Sequence, residues 1–475
     1  MSTIIKHAVV YTNDPAVGVI WDGAVLIDGP RIVDVGKTDE LVHKYGSADQ
    51  VIDGKWKLVM PGFIDTHMHL DAAYLRGLIP PKWMGWLKEY FGWYFDIIDE
   101  EDFYYSALFS IGKRLLTGTT TVVDSGPLPG FEKQAVEAVE KSGVRANLNR
   151  MTMDVYDEAL GAGGFSTKHR ETTEKAIRHG RDFVKTYNGH LGRVRAGLCL
   201  MQVPTSTETL GREARKIVDE LDGTLHTHAG VHGELLEKTI KLHGIHDIEY
   251  LDKIGVLCNR MTAAHMGWLT ETEIGLVASR GANVSHCPTS TTINGKGILS
   301  KGNIVRMSKM GVNIALGTDE LDITDIVRVM FAVLIHRDIW MDSTLFPFEK
   351  VVEMATSNGA RAIGMGDDLG TIARGRLADL VLFDLKNADW IPVYGYSLLP
   401  NLITSASGSS VHTVLVHGKV VVENRKITTL DMDEVAHQIQ ERAGKYVRSA
   451  VEKGMHTKHA FARNDWSPVN PSNHT

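Results

Sequence analysis

The feature that most limits the fold is an order repeated eight times in the middle of the chain: a short apolar run, then a stretch with apolar residues at helical spacing. The runs lie at 63–70, 119–124, 145–151, 193–201, 223–227, 261–265, 282–286 and 313–318. Between most of them are amphipathic stretches such as 131–141 and 208–221. Short apolar strands alternating with helices predict a parallel sheet with both faces covered. Eight such units over roughly 300 residues match the scale of a (β/α)8 TIM-like barrel, so the class is α/β. A doubly wound sheet is the rival. Its glycine fingerprint is missing, because Gly161-Ala162-Gly163-Gly164 does not follow a strand and open a helix.

The two ends of the chain have another texture. Segments 19–21, 24–27 and 31–35 are β-branched, with Asp22-Gly23 and Asp28-Gly29 between them as hairpin-type turns. The same pattern returns at 379–383, 411–416 and 420–422, with His417-Gly418 as a turn. Neither group alone makes a stable sheet. Residues 1–60 and 371–430 are therefore expected to combine into one composite β-sandwich domain, interrupted by the barrel at 61–370. Residues 431–475 read as a C-terminal helix, 431–451, and a flexible tail.

Composition narrows the function. A net charge of −7 leaves no basic footprint, so no nucleic acid is expected. No run of eighteen apolar residues exists, so no membrane span is expected. The first residues lack a secretory signal pattern, and the three cysteines, Cys199, Cys258 and Cys287, form no CxxC pair. A reducing cytoplasm is the expected location.

Reactive residues of such barrels sit at the C-terminal ends of the strands. The first strand ends in His67-Met68-His69, whose alternation puts two imidazoles on one side. The fifth ends in His226-Thr227-His228, the sixth in His265, the seventh in His286 and the eighth at Asp319. One histidine at a strand end is more often a packed core residue than a ligand. Five strand ends that all carry metal-ligand residue types point to a metal centre.

The motifs that carry these residues resemble those of the amidohydrolase superfamily. Pro61-Gly62-Phe63-Ile64-Asp65-Thr66-His67-Met68-His69 resembles its first metal motif. Ala264-His265, Val284-Ser285-His286-Cys287-Pro288-Thr289-Ser290 and Ala315-Leu316-Gly317-Thr318-Asp319 resemble later ones, in order. Segments 374–381 and 416–421 are similar to its C-terminal β segment, and the nearest branch is that of S-adenosylhomocysteine/methylthioadenosine deaminases and triazine hydrolases. The resemblance implies that His67, His69, His228 and His265 are metal ligands and that Asp319 is both ligand and base. His228 rather than His226 is the implied ligand of its pair. His286 is implied to polarise the attacked centre. The fourth strand offers neither the lysine nor the glutamate that bridges two metals in the family, so one divalent ion per subunit is expected. Imidazoles with one carboxylate suit zinc first, with iron or manganese as alternatives. The family's habit implies a homo-oligomer acting on a small molecule.

Two positions depart from the branch. Its deaminases carry a glutamate three residues after the strand-five ligand, where this chain has Val231. Either His232 or Glu234 replaces it, with Glu320 as another candidate, or the substrate needs no ring protonation. After the fourth strand, Leu200-Met201-Gln202-Val203 stands where nucleoside deaminases carry a histidine. An amide, urea or carbamate carbonyl in a hydrophobic substrate fits both departures. Hydrolytic deamination of a purine or pterin-like ring is the alternative, and a triazine reaction is third. Gln202, Val231, His232 and Trp86 are the candidate substrate contacts. Trp86 belongs to an aromatic series, Trp83, Trp86, Tyr90 and Trp93, that reads equally as a pocket wall, a buried helix or a subunit interface. A catalytically silent scaffold is the competing class, and the full ligand set argues against it. Gly295-Lys296-Gly297 is no phosphate loop and is expected in the loop after the seventh strand.

Overall fold

The computed structural model describes residues 2–78, 92–156, 166–319 and 323–453. All eight expected barrel strands are present: Phe63–Met68, Thr119–Asp124, Arg145–Thr152, Val194–Gln202, Thr224–Ala229, Met261–His265, Asn283–His286 and Ile314–Leu316. They pair in parallel and in sequence order. Their residues are almost all buried, as strands covered on both faces must be. The outer helices start at side-chain caps: Thr207 accepts from Leu210 N, and Thr270 and Glu273 form a reciprocal capping box.

The ladder slips at three points: one, between Phe63 and Ile64, opens the first strand, and the other two lie beside the candidate ligands. Between Asp65 and Met68 the first strand uses three residues against two of the second strand. Between Thr227 and His228 the fourth strand supplies the extra residue, with Leu200 and Gln202 as successive partners. Such bulges bend a strand and re-aim its side chains. They break the strict alternation assumed for the His-Met-His run.

The barrel closes through side chains more than through a ladder. Between the first and last strands there is one isolated bridge, Met68 to Asp319, with Asp319 N donating to His67 O at 2.8 Å. Asp65 completes the join. Its Oδ1 accepts from Thr318 N at 2.9 Å, and its Oδ2 from Thr318 Oγ1 and Arg114 Nε, both at 2.7 Å. The other mouth is sealed by the helix Ser357–Ala362. Asn358 Nδ2 donates to Ile314 O at 2.7 Å, and Thr262 Oγ1 to Ala362 O at 3.0 Å. Gly359 permits this approach, since a Cβ there would lie 2.8 Å from Ile64 Cβ.

Both ends of the chain join one hydrogen-bonded sheet. Lys57–Pro61 pairs with Ser2–Tyr11 on one side and antiparallel with Leu380–Asp384 on the other. Ile5, Val25, Val59, Leu380 and Leu415 share one apolar cluster drawn from both ends. Asp28-Gly29 and His417-Gly418 make turns as expected, with the flanking residues paired as Asp28 to Arg31 and Val416 to Lys419. Asp22-Gly23 does not. It lies inside the continuous strand Val19–Asp28, where the register against Ala8 and Val10 slips and Asp22 takes φ 49°. A left-handed residue at a bulge carries the same sequence signature as a hairpin turn. The helix Met432–Glu452 packs on Glu100–Leu115, and Tyr446 Oη donates to Asp102 at 2.7 Å. No described helix is long and apolar enough to cross a membrane.

Arg145 of the third barrel strand ties barrel to sheet. Its guanidinium donates to both oxygens of Asp379, at 2.8 and 3.0 Å, and both side chains are buried. Asp379→Ala leaves that cation unpaired, and the expected loss is about 3–5 kcal/mol in denaturant unfolding. A loss below about 1 kcal/mol contradicts this role for the pair.

Candidate metal centre

At the C-terminal mouth, the ends of the first, fifth, sixth and eighth strands bring His67, His228, His265 and Asp319 together. One donor atom from each lies within 4.8 Å of all the others, and all four residues are buried. Asp319 Oδ1 is 3.1 Å from His67 Nε2 and 3.4 Å from His69 Nε2. Asp319 Oδ2 is 3.8 Å from His265 Nε2. His69 stands just outside the tight set of four, its ring 5.6 Å from that of His228 and its Nδ1 3.0 Å from Ser125 Oγ.

Neighbouring groups aim these rings. His228 Nδ1 donates to Met201 O at 2.7 Å, which leaves Nε2 with its lone pair for the centre. His67 Nδ1 lies 2.9 Å from His226 Nε2, so His226 orients His67 instead of joining the four. Two of the four residues sit in the left-handed backbone region, His265 at φ 79° and Asp319 at φ 67°. Such a position costs a non-glycine residue of order 1–3 kcal/mol and persists only where the surroundings hold it. Asp319 is held by His67 O. The turn after His265 is held by Met266 N donating to Ala229 O at 3.0 Å.

The donor set fits a divalent cation. Both ring nitrogens of His265 are buried without a hydrogen-bond partner. Burial pushes His67 below, and His228 and His265 well below, the usual histidine range, which favours the neutral rings. Burial alone would raise Asp319, but Lys296 and the imidazoles hold it well below the usual carboxylate range. Three neutral imidazoles and one carboxylate are ligands that zinc accepts.

The other expected residues are not among these four donors. His286 is fully buried, and its Nε2 is 3.2 Å from Nε2 of His336 on the helix Ile335–Ile339. It is not one of the four clustered donors. His232 caps the helix Gly233–His243 through Nδ1 and leans on Trp268 at 5.7 Å. Glu234 is exposed, Val231 is buried, and Gln202 N donates to Thr205 Oγ1 at 3.1 Å. Trp83, Trp86, Tyr90, Glu320 and Gly161–Gly164 lie outside the described residues. Three participants were not singled out from the sequence: Ser125 against His69, His336 against His286, and Lys296 against Asp319. Only Lys296 had a local signal, its two flanking glycines.

The profile of the Amidohydrolase family matches residues 58–421. That of the Imidazolonepropionase-like composite domain, bacteria, matches 23–48. The chain is 30% identical over 456 residues to a 5-methylthioadenosine/S-adenosylhomocysteine deaminase of Acetivibrio thermocellus, covering 94% of this chain and 100% of the relative. It is 31% identical over 459 residues to a 5'-deoxyadenosine deaminase of Methanosarcina mazei, covering 94% and 98%. Among solved structures, an atrazine chlorohydrolase of Arthrobacter aurescens complexed with zinc superposes with a TM-score of 0.83 at 25% identity, covering 93% of this chain and 100% of that one.

The His286–His336 pair has a consequence for acid stability. Burial pushes His336 down to about 4 from its ordinary 6.5. The unfolded chain then takes up more protons than the native one between those values, so stability falls as pH drops from about 6.5 to about 4. His336→Asn is expected to flatten that fall in melting temperature. An unchanged slope contradicts it.

Proposed function

The chain belongs to the amidohydrolase family, and on that premise we propose that it hydrolyses a non-peptide C–N bond in a small molecule at the His67, His228, His265 and Asp319 cluster. The observation that carries the reading is the convergence of these four buried donors within 4.8 Å at the ends of four different barrel strands. They and His69 are the residues that would hold one divalent ion, zinc first, with iron or manganese as alternatives. Such an ion supplies a Lewis acid and brings the pKa of bound water toward about 7.

The chain's own groups supply the rest. Asp319 accepts the proton of the attacking water and passes it to the leaving nitrogen. His67 and His69, both beside Oδ1, keep that oxygen facing the reacting centre. His286 stabilises charge on the attacked group in this reading. The leaving group is the open choice, and Val231 bears on it. A buried valine transfers no proton, so a ring whose nitrogen must be protonated is a poor substrate. An amide, urea or carbamate carbonyl is already electrophilic. We therefore place a hydrophobic substrate with such a bond first, with Trp86, Val231, His232 and Gln202 as candidate contacts. Deamination of a purine nucleoside is the second reading, favoured by full-length similarity to deaminases. A triazine reaction is third. The reading includes a cytoplasmic homo-oligomer.

Two measurements test the reading. Elemental analysis is expected to give about one metal per chain, and His265→Ala or Asp319→Ala is expected to lower it and abolish turnover. Full activity in metal-stripped protein contradicts the mechanism. A panel of adenosine derivatives, triazines, aryl ureas and carbamates is expected to give its best rate on a urea or carbamate. Ammonia release from an adenosine derivative as the best reaction overturns the argument from Val231.

A further inference from the structure

The helix Pro288–Asn294 ends in Gly295-Lys296-Gly297, and both glycines take left-handed backbone, φ 62° and 72°. Lys296 N donates to Thr291 O at 3.1 Å, and Lys296 O accepts from Trp268 Nε1 at 2.9 Å. The turn thus folds a lysine inward, and it is fully buried. Its Nζ lies 2.8 Å from Asp319 Oδ2 and 2.9 Å from Ser290 Oγ. Ser290 Oγ is itself 2.5 Å from the same Oδ2. The two oxygens of Asp319 therefore face different ways. Oδ2 is taken by an ammonium and a hydroxyl and lies no nearer than 3.8 Å to His265 Nε2, while Oδ1 faces His67 and His69 at 3.1 and 3.4 Å.

We propose that Lys296 is a positioning residue for Asp319: with Ser290 it clamps Oδ2, so that the carboxylate presents Oδ1 to the imidazole cluster in one orientation. The inference rests on Asp319 being the metal ligand and base. A buried ammonium is tolerated only when paired, and charge-assisted hydrogen bonds are among the stronger and more directional ones. Partners behind a ligand set its orientation, and their loss costs roughly 10–100-fold in metal affinity or activity. The clamp also gives the left-handed Asp319 a second anchor besides His67 O.

The alternatives are a lysine that merely fills volume and a cation that merely repels the metal. Zinc titration of metal-stripped protein against a chromophoric chelator separates them. Lys296→Met keeps length and loses charge. Its zinc dissociation constant is expected to rise at least about 10-fold, with Ser290→Ala showing a smaller rise in the same direction. Equal affinity in folded Lys296→Met means volume filling and overturns the clamp. Tighter binding means repulsion and overturns it too. If Lys296→Met does not fold, Ser290→Ala decides: unchanged zinc affinity overturns the clamp. A wild-type chain that binds no zinc overturns the metal-centre reading itself, and the clamp with it. Wild-type zinc binding with unaltered variants removes the clamp alone.

Discussion

Asp65 is fully buried, and its carboxylate holds the two ends of the barrel together. It takes Arg114 Nε and Thr318 Oγ1 on one oxygen and Thr318 N on the other. Arg114 also donates to Thr318 Oγ1 at 2.6 Å, so cation, hydroxyl and carboxylate form a closed triangle. Breaking a buried pair of this kind by removing one partner costs about 3–5 kcal/mol. Its placement matters more than its energy. It lies two residues before His67 and contacts the residue before Asp319, so it sets the spacing between the first-strand imidazoles and the eighth-strand carboxylate.

The site is built around that join by irregularity. Two bulges interrupt the ladder next to His67 and His228, and two left-handed residues, His265 and Asp319, turn their strands at the ends. A regular barrel would point alternate side chains inward in fixed layers. These departures instead gather rings from three strands onto one carboxylate at the end of a fourth. Buried partners hold them there: Met201 O for His228, His226 for His67, Ser290 and Lys296 for Asp319.

The barrel strands were legible because parallel strands covered on both faces are continuous apolar runs, and their ends shifted by two residues at most, as at Ile314–Leu316. The clustered donors were legible because the fold places chemistry at strand ends. Asp22-Gly23 misled because a bulge and a hairpin turn both ask for a left-handed residue. His336 was invisible because its role depends on a helix docking far along the chain against His286, which no local pattern encodes. Lys296 is hard to read because a glycine-flanked lysine first suggests a phosphate loop. Read as a turn that folds a side chain inward, the same two glycines point to the centre.

The account stands on the claim that the Asp65–Arg114–Thr318 join aligns the metal centre. The most direct measurement is zinc affinity in Asp65→Leu/Arg114→Met, which removes both charges and leaves no orphaned ion to unfold the barrel. The account predicts a folded protein whose zinc dissociation constant is raised at least about 10-fold, because His67 and Asp319 no longer hold their spacing. A folded double variant that binds zinc as tightly as the wild type would contradict it.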